Sequence, residues 1–182
     1  MTEAESAVRP ILEAVRTRGD AALIEYAQRF DGFDRKSVRV TPKECAAAAQ
    51  KLSPAFTQAV LVSARNVREF AKMQLPKPAS KELMPGLRAG FVVRPLDTVA
   101  AYIPSGRYPL PSTLIMTTQP AQAAGVPTIC ATSPRFVNEI FGAAHLLGVT
   151  NTFLLGGAHA IAAFAFGTKT VPKADRIVGP GN

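Results

Sequence analysis

The chain has 182 residues, 47% of them hydrophobic and 19% charged, so it is long enough to bury a core and is not a disordered polymer. Its formal charge of +8 is scattered along the chain, with no basic stripe and interleaved aromatics, which argues against nucleic-acid binding but leaves a field that attracts anions. No apolar run has the length of a membrane span and no signal-peptide pattern opens the chain. Cys45 and Cys130 are too few and too far apart for a disulfide framework, and with His145 and His159 they match no zinc spacing; a reducing cytoplasm is the expected compartment.

Residues 5–30 read as two short helices. Val8, Ile11, Leu12 and Val15 make one apolar face, Gly19 ends that helix, and Asp20 is placed to cap the next, which Asp31-Gly32 breaks. Thr41-Pro42-Lys43-Glu44 is a capping-box pattern that opens an Ala-rich helix. Ser53-Pro54 starts a longer one with Phe56, Val60, Ala64, Val67 and Ala71 on one stripe. These helices read as packing elements. Residues 75–80, rich in proline, read as a linker or exposed loop.

Beyond residue 83 the pattern changes. Leu87, Ala89, Phe91 and Val93 alternate with their neighbours as in a half-buried strand. Strands are then expected at Val99–Ile103, Thr128–Ala131, Thr152–Leu155 and Arg176–Val178, with helices at Ser112–Ala124, Phe136–Leu147 and Ala158–Phe166 between them. Pro120 is expected to kink the first of these helices. The alternation predicts an α/β fold: a Rossmann-like, incomplete parallel sheet with flanking helices over 81–182, preceded by an N-terminal helical segment over 1–80.

Parallel strands put their carboxyl ends together, so the loops 104–111, 156–159 and 179–182 are expected at one rim of the sheet. Gly156-Gly157 and Gly179-Pro180-Gly181 let backbone approach a ligand, and free N–H groups at a helix start suit an anion such as a pyrophosphate. An ordinary βα connection would use similar residues. The sequence has neither G-x-G-x-x-G nor a Walker loop. Nor does it have paired carboxylates in its second half: Asp97, Glu139 and Asp175 are isolated and read as turn, helix-surface or capping residues. Ending on a Gly-Pro-Gly loop directly after a strand, the sequence reads as the front part of a longer protein.

At these loops the chain resembles the histidinol dehydrogenase family. The segments that carry the resemblance are Tyr102-Ile103-Pro104-Ser105-Gly106, Pro109-Leu110-Pro111-Ser112, Gly156-Gly157-Ala158-His159-Ala160-Ile161-Ala162-Ala163, Phe166-Gly167-Thr168, Val171-Pro172-Lys173 and Val178-Gly179-Pro180-Gly181-Asn182, with Arg18-Gly19-Asp20-Ala21-Ala22-Leu23 nearer the start. The resemblance implies NAD-dependent oxidation of L-histidinol to L-histidine through the aldehyde. Tyr102, His159 and Asn182 are then the cofactor-binding residues. His159 stands where the family has Gln, and Ser105 where it generally has Gly. Read without the family, Tyr102 is a core-edge aromatic, His159 a helix-capping residue and Asn182 a turn residue. The family's zinc ligands and catalytic Glu and His are expected beyond Asn182, so this chain is expected to hold no catalytic residue, no metal ligand and no activity alone. A homodimer is implied as well. The open alternatives are a non-catalytic nucleotide-binding or oligomerising module, and a paralogue acting on another polar alcohol.

Overall fold

The computed structural model describes residues 3–105 and 108–180. The first part of the chain forms α1 (Glu3–Arg18), α2 (Asp20–Asp31), β1 (Arg39–Val40), α3 (Pro42–Ala49) and α4 (Pro54–Met73). A hairpin follows, β2 (Ala79–Met84) and β3 (Leu87–Phe91). The second half alternates β4 (Thr98–Tyr102), α5 (Pro111–Ala123), β5 (Thr128–Ser133), α6 (Asn138–Leu146), β6 (Asn151–Leu154), α7 (Gly157–Phe166) and β7 (Arg176–Val178). The result is a mixed α/β fold around a mostly parallel five-stranded sheet, as the βα rhythm predicts.

Local chemistry accounts for the helix boundaries. At α3 the Thr41 hydroxyl accepts the Glu44 N–H at 3.2 Å while the Glu44 carboxylate takes the Thr41 N–H at 2.7 Å, a complete capping box. Partial burial pushes the Glu44 carboxyl up, but the Thr41 bonds and the Arg35 guanidinium outweigh it and hold it below its ordinary range. Ser53 caps α4 by accepting the Phe56 N–H. Gly19 separates α1 from α2 and itself holds the N-cap position of α2. The expected Asp20 cap is not made. The Asp20 carboxylate instead accepts the Thr170 hydroxyl at 2.6 Å, tying the start of α2 to the loop after α7.

The strand order is β1-β6-β5-β4-β7. β4, β5, β6 and β7 run parallel, and β1 pairs antiparallel with β6, Arg39 opposite Phe153 and Val40 opposite Thr152. Two residues are too few to show a period, so β1 leaves no pattern in the sequence. From β4 the chain steps outward through β5 to β6, then returns to place β7 on the other side of β4. Right-handed crossovers put the helices of opposite steps on opposite faces. Accordingly α5 and α6 lie together under α4 and α3, and α7 packs with α1 and α2. The N-terminal helices thus cover both faces of the sheet.

The core holds Phe141, Phe153, Phe164, Leu23, Ile103 and Leu155, all buried. Gly142 makes the α3–α6 contact possible: a Cβ there would lie 2.9 Å from the Ala49 nitrogen. The β2–β3 hairpin departs from expectation. Its residues alternate as a half-buried strand would, yet every one is exposed, and it pairs only with itself. Alternation marks two faces without saying what covers them. The proline-rich linker also ends sooner than expected, since Ala79 and Ser80 already belong to β2.

Cys45 and Cys130 are both buried and free. Burial pushes both thiols up, Cys130 to about 11. A folded-state value raised above the ordinary 9.0 means that ionisation favours the unfolded chain. The cysteine contribution to stability is therefore whole below pH ~9 and declines as pH rises toward ~11. Denaturant titrations across this range, wild type against Cys130→Ala, are expected to show a smaller decline in the variant, which keeps only the buried Cys45 thiol. Flat wild-type stability would refute the burial argument.

Candidate functional site

The strand order reverses between β4 and β7, and open α/β sheets bind ligands at that reversal, beyond the carboxyl ends of the strands. Tyr102 ends β4 there, in register with Thr132 of β5, and Ala101 lies opposite Val178 of β7. The rim is tightly tied. The Ile103 N–H donates to the Thr132 carbonyl at 2.8 Å, and the Thr132 hydroxyl donates to the Leu155 carbonyl at 2.8 Å. At the end of β7, Gly179 has φ +142°, and a Cβ on it would lie 2.3 Å from the Tyr102 carbonyl oxygen. Only glycine lets the two strand ends come this close.

Two hollows share Tyr102 and Pro104 as lining residues. One, about 580 Å³, lies at the β4–β7 reversal and is lined by Tyr102, Pro104, Gly157, Ile161 and Gly179, with Val8 of α1 closing it. The other, about 480 Å³, lies toward β5 and is lined by Phe30, Asp31, Tyr102, Pro104, Ser105 and Arg135. The three expected loops thus converge at one rim through their described residues. Gly106, Arg107, Gly181 and Asn182 lie outside those residues, so the expected Asn182 contact has no described geometry.

The Tyr102 hydroxyl accepts the Gly157 N–H at 3.3 Å, which links the end of β4 to the start of α7. His159 lies in the first turn of α7 and does not line either hollow. Its ring is 1% exposed, stacked beside Tyr26 and Phe30 at centroid distances of 6.4 and 6.2 Å. Its Nε2 lies 2.9 Å from the Asp31 Oδ2, and a carboxylate can only accept, so Nε2 carries the proton. Nδ1 is buried with no partner among the described residues. The same Asp31 oxygen accepts the Gly156 N–H at 2.8 Å. At the N-cap amide before α7 the anionic partner is thus the protein's own carboxylate.

Sequence reasoning missed the part played by Asp31, which reads with Gly32 as a helix break, and by Phe30, which reads as part of the apolar face of that helix. Their partners lie more than a hundred residues away, and no local signal marks them. His145 is exposed in the last turn of α6. Asp175 is a turn and capping residue as expected: its Oδ2 accepts the N–H groups of Asp97 and Thr98, both at 2.9 Å.

A family model for histidinol dehydrogenase matches residues 1–182. The chain belongs to the histidinol dehydrogenase family. It is 46% identical over 176 residues to the histidinol dehydrogenase of Salmonella typhimurium, covering 96% of this chain and 41% of that protein. It is 44% identical over 181 residues to a histidine-biosynthesis bifunctional protein of Photorhabdus laumondii, covering 99% of this chain and 22% of the relative. The crystal structure of histidinol dehydrogenase from Elizabethkingia anophelis superposes with a TM-score of 0.94 at 33% identity, covering 100% of this chain and 43% of that one. The chain therefore spans about two fifths of the length of its histidinol dehydrogenase relatives. No helix of the described residues is long and apolar enough to cross a membrane. Among the described residues no three His, Cys, Asp or Glu side chains gather where they could hold a metal ion.

Proposed function

We propose that this chain supplies the NAD side of a histidinol dehydrogenase site, in an enzyme that oxidises L-histidinol to L-histidine. The observation that carries the reading is the meeting of β4, α7 and β7 at Tyr102, where the hollow at the sheet reversal has a glycine-only wall at Gly179. Tyr102 offers a ring face to pack on and a hydroxyl. Gly157 and Gly179 bring bare backbone to the ligand, and Asn182 would add an amide donor and acceptor. His159 enters this reading through Asp31 rather than by touching the ligand.

NAD bound here would accept hydride. Going from alcohol to carboxylate takes two hydride transfers, each reducing one NAD, and the aldehyde stage takes its second oxygen from water. A group that removes the hydroxyl proton and a metal that orients the substrate complete such chemistry. The described residues do not fit the zinc that the family implies, so no step through it is assigned to this chain. Those ligands and the catalytic Glu and His are proposed to lie in the remaining part of the family fold, within a homodimer.

Calorimetric titration of the 182-residue chain with NAD is expected to show saturable binding, and a turnover assay with L-histidinol and NAD is expected to show none. Failure to bind NAD at millimolar concentration would overturn the cofactor role. Clear turnover would overturn the division of labour.

A further inference from the structure

Asp31 closes α2, yet its carboxylate holds the turn that opens α7. Its Oδ2 accepts the Gly156 N–H at 2.8 Å and faces His159 Nε2 at 2.9 Å. The next residue, Gly157, has φ +52° and donates its N–H to the Tyr102 hydroxyl. One series of hydrogen bonds thus runs from α2, through the Gly156-Gly157 turn, to the side chain of Tyr102, a residue that lines both hollows. The carboxylate has little freedom. A Cβ on Gly156 would lie 2.9 Å from Asp31 Oδ1 and 2.5 Å from Pro134 Cβ, so turn, carboxylate and proline are in contact. The His159 ring braces the other side, near Tyr26 and Phe30, and among the described residues it is hydrogen-bonded through Nε2 alone.

We propose that Asp31 is a positioning residue for the dinucleotide site: its carboxylate takes the anion position at the N-cap amide before α7, that of Gly156, and, through Gly156 and Gly157, sets the Tyr102 side chain. The inference rests on the NAD reading above. It implies that the phosphates of the ligand are not received at that N-cap amide, as they are in sheets whose helix starts are open. Asn in place of Asp31 keeps the size but has one carbonyl oxygen and no charge to serve two donors.

The test compares the unmodified chain with Asp31→Asn, Tyr102→Phe and the double variant. Two readouts are used: amide hydrogen exchange at Gly156 and Gly157, and NAD affinity by calorimetry. Asp31→Asn is expected to speed exchange at both glycines by about tenfold, and Tyr102→Phe at Gly157 alone. Each single change is expected to weaken NAD about tenfold, and the double variant no further than the weaker single, because both act through one series of bonds. Losses that multiply, or exchange unchanged in Asp31→Asn, would overturn the inference. If Asp31→Asn does not fold, the unmodified chain still decides. A scalar coupling across the hydrogen bond between the Gly156 nitrogen and the Asp31 carboxyl carbon is expected, and its absence overturns the link. An unmodified chain that binds no NAD sinks the dinucleotide reading and the positioning role with it. Normal NAD binding that ignores Asp31 sinks only the latter.

Discussion

Replacing Gly179 with alanine is expected to weaken NAD binding by at least about tenfold, more than any other single methyl added at the rim. The new Cβ would meet the Tyr102 carbonyl oxygen at 2.3 Å and the Tyr102 Cβ at 3.1 Å. The first of these is backbone of a buried strand's end and cannot swing aside. Either β7 leaves its register with β4, where Val178 faces Ala101, or Tyr102 moves. Both outcomes distort the hollow at the sheet reversal. The φ of +142° adds strain of its own for any L side chain. Gly148→Ala is the matched control. It carries the same kind of strain at φ +72° but meets nothing within 4 Å, so it is expected to cost about 1–2 kcal/mol of stability and leave NAD binding alone. Equal NAD affinities for the two variants would show that the closeness of the strand ends is irrelevant to the site.

Phe153→Ala is expected to be the most destabilising truncation in the core, at about 3–5 kcal/mol. Phe153 is fully buried on β6 and meets Phe164 of α7 edge-on, centroids 5.5 Å apart at 83°. Its strand carries β1 on one side and β5 on the other, so the cavity opens where three strands and a helix share contacts. The melting temperature should fall by roughly 6–20 °C for a chain of this size. Phe70→Ala, at a side chain 63% exposed, should change stability by no more than about 0.5 kcal/mol. Thermal and denaturant unfolding measure both. Similar small losses for the two variants would mean that β6 is not the packed centre described here.

Much of this architecture is readable before any coordinates exist, where the signal is local and repeated. The capping box at Thr41–Glu44 forms as its letters suggest. The strand at Arg176–Val178 matches its expected bounds, because β-branched residues between turn signals leave few alternatives. What escapes is whatever depends on distant partners. β1 is defined by β6 and not by its own two residues. The alternation over Leu87–Val93 is genuine, but nothing in it tells a covered face from a bare one. Histidine at a helix start reads as ligand or as cap, and the partner that holds the ring inward, Asp31, comes from a helix much earlier in the chain.

The short pairing of β1 with β6 has a consequence for synthesis. The Val40 carbonyl receives the Thr152 hydroxyl from 112 residues further along, and the Leu154 N–H donates to the Val38 carbonyl at 2.7 Å. At ribosomal speeds of about 5–20 residues per second, that span takes roughly 6–22 s to emerge. Through that interval the opening helices have neither β6 nor α7 to close upon. The nascent chain must therefore wait with its first third unsheltered, and it is during this delay that a chaperone would have the most to protect.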